Sequence, residues 1–250
     1  MQKIKVKKVY LFFVAVLICM LHLPVAFSST KSLIINSAET SFAVVNNIAS
    51  RSEIINSLYL NMELKNKGLS EDAFTSAMKG FDYLNNEGKI QNDRIITIVD
   101  FTKPSTEKRL FVLDVETQKI LFNTYVAHGQ RSGKEYANLF SNIPESFQSS
   151  LGFYETSTTY TGKNGYSMKL KGLENGINNK AEERAVVVHG APYVSESFIH
   201  TKGYLGRSWG CPALPEKLNK PIIDKIKNGS CLFIYSKKNN YLNKSRILNS

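Results

Sequence analysis

A cysteine and a histidine occupy positions from which they could carry out nucleophilic chemistry. Cys211 lies in the segment Arg207–Pro212 (RSWGCP), between a glycine and a proline, and His189 ends the β-branched run Val186–Val188. A thiol attacks a carbonyl only as its thiolate, so a nearby base or cation must favour its ionisation. We therefore predict that Cys211 is a nucleophile and that His189 is its base. A histidine at a strand end is equally compatible with a buried structural imidazole.

Two glycines stand beside these residues. Gly190 follows His189 and leaves space for a substrate to approach, while Gly210 lets the backbone turn sharply next to the cysteine. Such a turn can direct backbone N–H groups at a tetrahedral oxyanion. Because Pro212 has no N–H, the candidate donors are Trp209, Gly210 and Cys211. Ser208 could orient the cysteine or the substrate, or could serve only as a turn residue.

The composition is that of a globular protein with a basic surface. Of the 250 residues, 42% are hydrophobic and 21% are charged, which fits one domain with an appendage. The formal charge is +11. Without residues 1–28, which hold four lysines and no acids, 28 basic and 21 acidic residues leave a charge of +7. This excess favours an anionic partner outside the cytoplasm. The chain has no RNA-binding signature, so we expect no nucleic-acid partner.

The first 28 residues predict a secretory signal peptide. Four lysines precede an apolar run from Val9 to Val25, and small residues near Ser28 offer a cleavage site. The alternative is an uncleaved membrane anchor, and only then would the protein associate with a membrane. Cys19 follows Ile18 rather than a small residue, which argues against lipidation. In either case we expect an exported protein of the periplasm or cell envelope.

After removal of the leader, two cysteines remain in an oxidising compartment. A disulfide between Cys211 and Cys231 is one possibility. Against it, Cys231 lies in the apolar run Ser230–Tyr235, which has the length of a strand and favours a buried free thiol.

Residues 29–92 predict a helical flank. Apolar residues within Ser52–Lys65 recur at nearly helical spacing, and Gly68 then ends the segment. A second helix begins after Ser70, a good N-cap with acids in the first turn, and ends before Gly88.

Residues 93–236 predict a β domain. Ile95–Phe101, Arg109–Val115 and Lys119–Val126 predict an antiparallel meander with a tight turn at residues 116–118. The segment from His128 to Tyr160 is polar and weakly periodic, as expected of a loop that covers a cleft. The later elements are two strands around the turn Asn164-Gly165, a buried strand Ala185–His189, a short helix with Pro221 at its first position, and a closing strand Cys231–Tyr235. We expect the basic tail, residues 237–250, to fray.

These motifs together resemble a known family. The segments Val188–Gly190 and Ser208–Cys211 resemble the His…Ser-His-Gly-Cys signature of the YkuD-type L,D-transpeptidase catalytic domain. The likeness is greater to the murein L,D-transpeptidase branch, in which Ser-Trp-Gly-Cys-Pro replaces Ser-His-Gly-Cys. It covers roughly residues 95–235, through the further segments Val126–Gly129, Phe140–Asn142, Ser149–Tyr154 and Gly162–Gly165.

The resemblance implies a mainly β (α+β) fold, with a sandwich-like catalytic core and the N-terminal helical flank. It implies that Cys211 attacks a peptidoglycan tetrapeptide stem, expels D-alanine and forms a thioester, without a cofactor. The amine of a second stem then gives a cross-link, or water gives carboxypeptidase activity. His189 is implied as the base, with the Gly190 carbonyl holding its second ring nitrogen. The residues expected to contact substrate are Arg207, His128 and Tyr193.

The sequence departs from the commoner signature at two positions. Trp209 replaces a histidine, and an indole can donate a hydrogen bond but cannot exchange protons. Ala213 stands where an arginine often binds the substrate carboxylate, so Arg207 or Arg184 would have to supply a guanidinium.

Three other functions stay open on the sequence. A cysteine hydrolase of wall peptides shares the thioester chemistry and differs only in the acceptor. A zinc site would need ligands from His128, His189, His200 and Cys211, although no tight metal-ligand spacing is present. A non-catalytic wall-binding module is the third.

Overall fold

Eight strands pair into one sheet in the computed structural model, which describes residues 50–250. The predicted signal peptide and Cys19 lie outside the described residues. Within residues 50–250, no helix combines the length and apolar character needed to cross a membrane.

The elements follow one another along the chain with these bounds. The strands are β1 (Asn92–Asp100), β2 (Leu110–Asp114), β3 (Lys119–Thr124), β4 (Gly152–Gly162), β5 (Gly165–Gly172), β6 (Val187–Gly190), β7 (Ala213–Leu214) and β8 (Ser230–Tyr235). The helices are α1 (residues 50–61), α2 (Glu71–Asn86), α3 (Glu196–Lys202), α4 (Glu216–Ile226) and α5 (Asn239–Lys244).

The strand order is β3-β2-β1-β8-β4-β5-β6-β7. The predicted meander is confirmed, since β1 pairs antiparallel with β2 and β2 with β3. The predicted hairpin of β4 and β5 is present, but its turn consists of Lys163 and Asn164, and Gly165 already pairs with Gly162 as the first residue of β5. Beyond β3, Ala127 forms an antiparallel bridge with Ala213 of β7, at the other edge of the sheet. The sheet therefore curls towards closure, and the mainly β, sandwich-like fold class is confirmed.

Helix α2 packs against this sheet. Ser70 caps it as predicted, with its hydroxyl accepting from the amide of Ala73. The buried face of α2 consists of Ala73, Phe74, Ala77, Met78, Gly80, Phe81 and Leu84, and it joins the same hydrophobic core as the strands. At Gly80 the helix backbone approaches the sheet so closely that an added Cβ would lie 2.0 Å from the ring of Phe153.

Several predicted boundaries are wrong. Strand β6, for example, runs from Val187 to Gly190 and does not include Ala185. Strand β4 begins at Gly152, so the long loop ends well before Tyr160, because residues 152–155 pair with β8. Pro221 lies inside α4 and not in its first turn. The helix tolerates it because Pro221 and Lys217 are both exposed, so the carbonyl that loses its hydrogen bond can bind water.

The C-terminal tail does not fray. It forms α5, and Tyr241, Ile247 and Leu248 are buried in the main core. The hydroxyl groups of Tyr241 and Ser245 both donate to the carboxylate of Glu174. The basic residues of this segment favour a solvated tail, but the apolar residues between them anchor it in the core.

Gly80→Ala tests the contact between α2 and the sheet. In an ordinary helix this change is stabilising by up to about 1 kcal/mol. Here the methyl group would overlap the Phe153 ring, so we expect destabilisation of about 1–3 kcal/mol instead. Urea unfolding measures it, with Thr75→Ala on the exposed face of α2 as the control that should be neutral or slightly stabilising. A more stable Gly80→Ala protein would show that the packing is looser than described.

Candidate active site

The thiol of Cys211 lies against the backbone that leads into β6. Its Sγ is 3.4 Å from the amide nitrogen of Val187 and 3.7 Å from the carbonyl oxygen of Ala185. Ala185 has a φ of 51°, an uncommon left-handed conformation for a residue with a side chain. Burial raises the pKa of the thiol, and this effect outweighs the opposing hydrogen bond from Val187 and the positive charge of Arg184.

Strand pairing brings His189 to the same place. Strands β6 and β7 are parallel, with His189 opposite Ala213. Counting back two residues on each strand puts Cys211 opposite Val187, which agrees with the contact between them. Val187 and His189 project on the same side of β6, because side chains alternate along a strand. No hydrogen bond joins the thiol to the imidazole in the part of the chain that the structure describes.

The His189 ring has a fixed orientation. Its Nδ1 lies 2.9 Å from the carbonyl oxygen of Gly190. Since a carbonyl can only accept, Nδ1 carries the proton and Nε2 is left with its lone pair. Burial lowers the pKa of the imidazole, and the Gly190 contact opposes this only in part. The ring is therefore a neutral base whose second nitrogen is available for proton transfer.

Gly190 is required for packing as well. A Cβ at this position would lie 3.1 Å from the Cβ of Asn219 in α4. The space beside Gly190, which was expected to admit substrate, is thus occupied by the Asn219 side chain. Asn219 is buried and donates to the Tyr166 carbonyl at 2.7 Å.

Ser208 and Gly210 shape the cysteine turn. The Ser208 hydroxyl donates to the Cys211 carbonyl at 2.6 Å and accepts from the Gly210 amide at 3.0 Å. Gly210 has a φ of 126°, and a Cβ there would lie 2.8 Å from the Gln148 carbonyl oxygen. Ser208 therefore closes the turn. Because the Gly210 amide is occupied, only Trp209 and Cys211 among the three predicted donors have an amide without a hydrogen bond to another described residue.

Trp209 lies at the rim of the site. Its side chain is 72% exposed, and its ring meets Phe147 edge to face at 5.5 Å between centroids. The guanidinium of Arg131 lies 5.1 Å from the centroid of the same Phe147 ring. This rim presents an aromatic surface directly next to the cysteine turn.

Arg184 holds the loop that precedes β4 and also acts on the thiol. Its Nη1 donates to the Ser141 carbonyl at 2.7 Å and also to the Ser150 hydroxyl. Its Nη2 donates to the Gln148 carbonyl at 2.6 Å. Arg184 is the positive charge that favours the thiolate of Cys211. Of the two arginines suggested by the sequence, it is the one that acts electrostatically on the thiol.

His128 has no atom free for substrate. It is 1% exposed, with Nδ1 2.8 Å from Nη2 of Arg109 and Nε2 3.3 Å from the Gly133 carbonyl oxygen. Burial, followed by the charge of Arg109, lowers the pKa of the imidazole to about 3. The expectation that His128 contacts substrate is therefore corrected to a structural role beneath the site. In the sequence, the only signal of this role for Arg109 is a charge at the start of an apolar strand.

The other two predicted substrate contacts lie nearer the surface. Arg207 is half-buried, donates to the Gly133 carbonyl at 3.2 Å and lies over the Tyr204 ring. Tyr193 is half-buried as well, and burial, followed by the charge of Cys211, raises the pKa of its hydroxyl to about 12. Tyr193 therefore carries a neutral hydroxyl.

The four residues of the suggested zinc site do not come together. His200 is exposed on α3, whereas His128 is buried in contact with Arg109. Among residues 50–250, no group of three or more His, Cys, Asp or Glu side chains is arranged to hold a metal ion. The suggested disulfide is also not formed, since Cys211 and Cys231 are both free thiols.

Comparisons with known proteins give one family and several remote structures. The chain is similar to an L,D-transpeptidase from Mycobacterium smegmatis at 12% identity and a TM-score of 0.37, over 57% of this chain and 59% of that chain. It is similar to the helical cell shape determining protein Pgp2 from Campylobacter jejuni at 13% identity and a TM-score of 0.38, over 58% of this chain and 48% of that one. The chain thus spans less than two thirds of either protein. No curated protein sequence matches it.

The sequence itself matches a family model described as the L,D-transpeptidase catalytic domain, YkuD_2, over residues 65–235. This stretch contains both Cys211 and His189, and the match confirms the resemblance noted in the sequence. Because it takes in well over half of the chain, the protein belongs to the L,D-transpeptidase catalytic domain family.

Proposed function

We propose that this protein is a cysteine-dependent peptidoglycan L,D-transpeptidase that acts on wall tetrapeptide stems through a thioester on Cys211. The observation that supports this most strongly is the placement of the thiol opposite Val187, two residues from an imidazole whose Nδ1 is held by the Gly190 carbonyl. Together with the lysine-led apolar segment at the start of the chain, a wall substrate implies action outside the cytoplasm.

The chemistry follows from the protonation states. Sγ of Cys211 attacks the carbonyl carbon of the scissile peptide bond while Nε2 of His189 takes the thiol proton. The carbonyl oxygen becomes an oxyanion that the amides of Trp209 and Cys211 can stabilise. The C–N bond then breaks, the imidazolium gives its proton to the departing D-alanine amine, and a thioester remains. The amine of a second stem attacks the thioester carbonyl, the new amide C–N bond forms as the C–S bond breaks, and the amine proton passes through His189 to the departing sulfur of Cys211.

His189 acts as a general base and not as the partner of a preformed ion pair. Burial raises the pKa of the thiol and lowers that of the imidazole, so both groups are neutral at neutral pH. The proton therefore moves during attack. Arg184 assists because its positive charge favours the developing thiolate.

Cys211→Ala tests the nucleophile. We expect loss of all thioester formation and turnover with the fold intact, because the thiol is at a turn and contributes little packing. The measurement is intact mass after exposure to a wall tetrapeptide, together with product analysis for cross-linked dimer and tripeptide. Cys231→Ala is the matched control and should still form the adduct, since Cys231 is buried in β8. Turnover by Cys211→Ala would reject the proposal, and tripeptide without dimer would identify a hydrolase.

His189→Gln tests the base. We expect kcat/KM to fall by roughly 10²-fold to 10⁴-fold. In the wild type the rate requires neutral His189, so it should fall on acidification through a pKa below about 6.5, the ordinary imidazole value. The exposed His200→Gln variant is the control and should keep the wild-type profile. An acid limb that survives in His189→Gln would assign it to another group.

Arg184 variants test the electrostatic contribution. Arg184→Gln removes the charge that lowers the thiol pKa, so the midpoint of Cys211 alkylation should move to higher pH. Arg184→Lys keeps a charge and should shift the midpoint less, although it loses the forked contacts to Ser141 and Gln148. Iodoacetamide labelling across pH measures both. Arg207→Gln is the control, and an equal shift there would show that only net charge matters.

A further inference from the structure

A cavity separate from the candidate active site lies where the end of α2, the end of β5 and the C-terminal segment meet. Its volume is about 480 Å³. It is lined by Tyr83, Leu84, Lys89, Lys171, Gly172, Leu173, Glu174, Asn175, Ile177, Lys244, Arg246 and Ile247. No residue of the candidate active site is among them. Lys171 is four residues beyond Ser167, the partner of His189 in the sheet, which is about 13 Å along the strand.

The charges around this cavity are unbalanced. Lys89, Lys244 and Arg246 form no ion pair with any residue in the described range 50–250, whereas Lys171 pairs with Glu155 at 3.1 Å. Like charges gathered around one recess repel each other, and an anion bound between them would relieve that repulsion.

The single acid of the lining, Glu174, is engaged on the protein side. One carboxylate oxygen accepts from the Phe153 amide at 2.7 Å and from the Tyr241 hydroxyl at 3.2 Å. The other accepts from the Ser245 hydroxyl. Burial also raises its pKa, which disfavours the charged form. Glu174 therefore fastens the C-terminal segment and offsets little of the positive charge.

The rest of the lining limits the kind of ligand. The apolar wall comprises Leu84, Leu173, Ile177 and Ile247, while the Tyr83 hydroxyl and the Asn175 amide are hydrogen-bonding groups beside the cations. An arginine and two lysines suit an oxyanion with several acceptor atoms, and the volume leaves room for more than that anion. We propose that this cavity binds a phosphate ester whose phosphate lies between Lys89, Lys244 and Arg246 and whose glycerol- or sugar-sized remainder lies on the apolar wall.

The test uses the full chain with two soluble probes and two kinds of vesicle. Glycerol phosphate and inorganic phosphate are titrated by calorimetry, and vesicles of phosphatidylglycerol are compared with vesicles of phosphatidylcholine by co-sedimentation. The cavity variant is Lys89→Gln/Lys244→Gln/Arg246→Gln. The control variant, Lys65→Gln/Lys67→Gln/Lys163→Gln, removes the same charge from exposed positions elsewhere. Both variants keep residues 1–49, so any membrane affinity of that segment is common to them.

We expect the cavity variant to bind glycerol phosphate at least about 10-fold more weakly, the loss of one charged hydrogen bond or more. The control variant should stay within about twofold of the wild type. Tighter binding to phosphatidylglycerol vesicles than to glycerol phosphate would identify a lipid headgroup, and equal binding would identify a soluble ester. No binding by the wild type, or equal weakening in both variants, would overturn the proposal. Turnover of wall peptides does not enter this test, so its outcome is independent of the proposed function.

Discussion

The parallel pairing between β6 and the two-residue strand β7 is the constraint on which the candidate site depends. It sets His189 opposite Ala213 and thereby fixes the position of Cys211, which lies two residues before Ala213. So short a strand has little stability of its own, and it is held from both sides. Ala191 donates to the Leu214 carbonyl at 2.9 Å, and Ala127 donates to the Ala213 carbonyl at 2.9 Å. Closure of the sheet is therefore also what positions the thiol.

Local signals in the sequence predicted the local structure well. The Ser70 cap, the meander and the hairpin of β4 and β5 each depend on neighbouring residues, and each is present. The parallel pairing of β1 with β8 joins segments more than 130 positions apart, and no periodicity reports such a contact. The site residues show the same difference between local signals and distant contacts. Residue types indicated Cys211 and His189, whereas the contacts of His128 and Gly190 depend on partners from distant segments.

Burial has opposite effects on the two groups that the proposed mechanism uses. It disfavours the thiolate and also disfavours the imidazolium, so the pair is held neutral and unreactive towards bulk solvent. A site of this kind gains reactivity only when a carbonyl is present to accept the electrons of sulfur as the proton leaves. In the proposed mechanism, selectivity for a bound peptide over other electrophiles would follow from the same burial that raises the thiol pKa.

Arg109 connects this chemistry to the fold. The guanidinium is fully buried and is held by the Lys103 carbonyl at 2.9 Å, the Val126 carbonyl at 2.9 Å and the ring of His128. A buried cation without a carboxylate contact is costly unless its donors are satisfied, so these acceptors must stay in place. The need to keep these acceptors in place fixes the segment after β3, which contains Val126 and His128. Because the Ser208 amide donates to the His128 carbonyl at 3.0 Å, the cysteine turn is fixed in the same step.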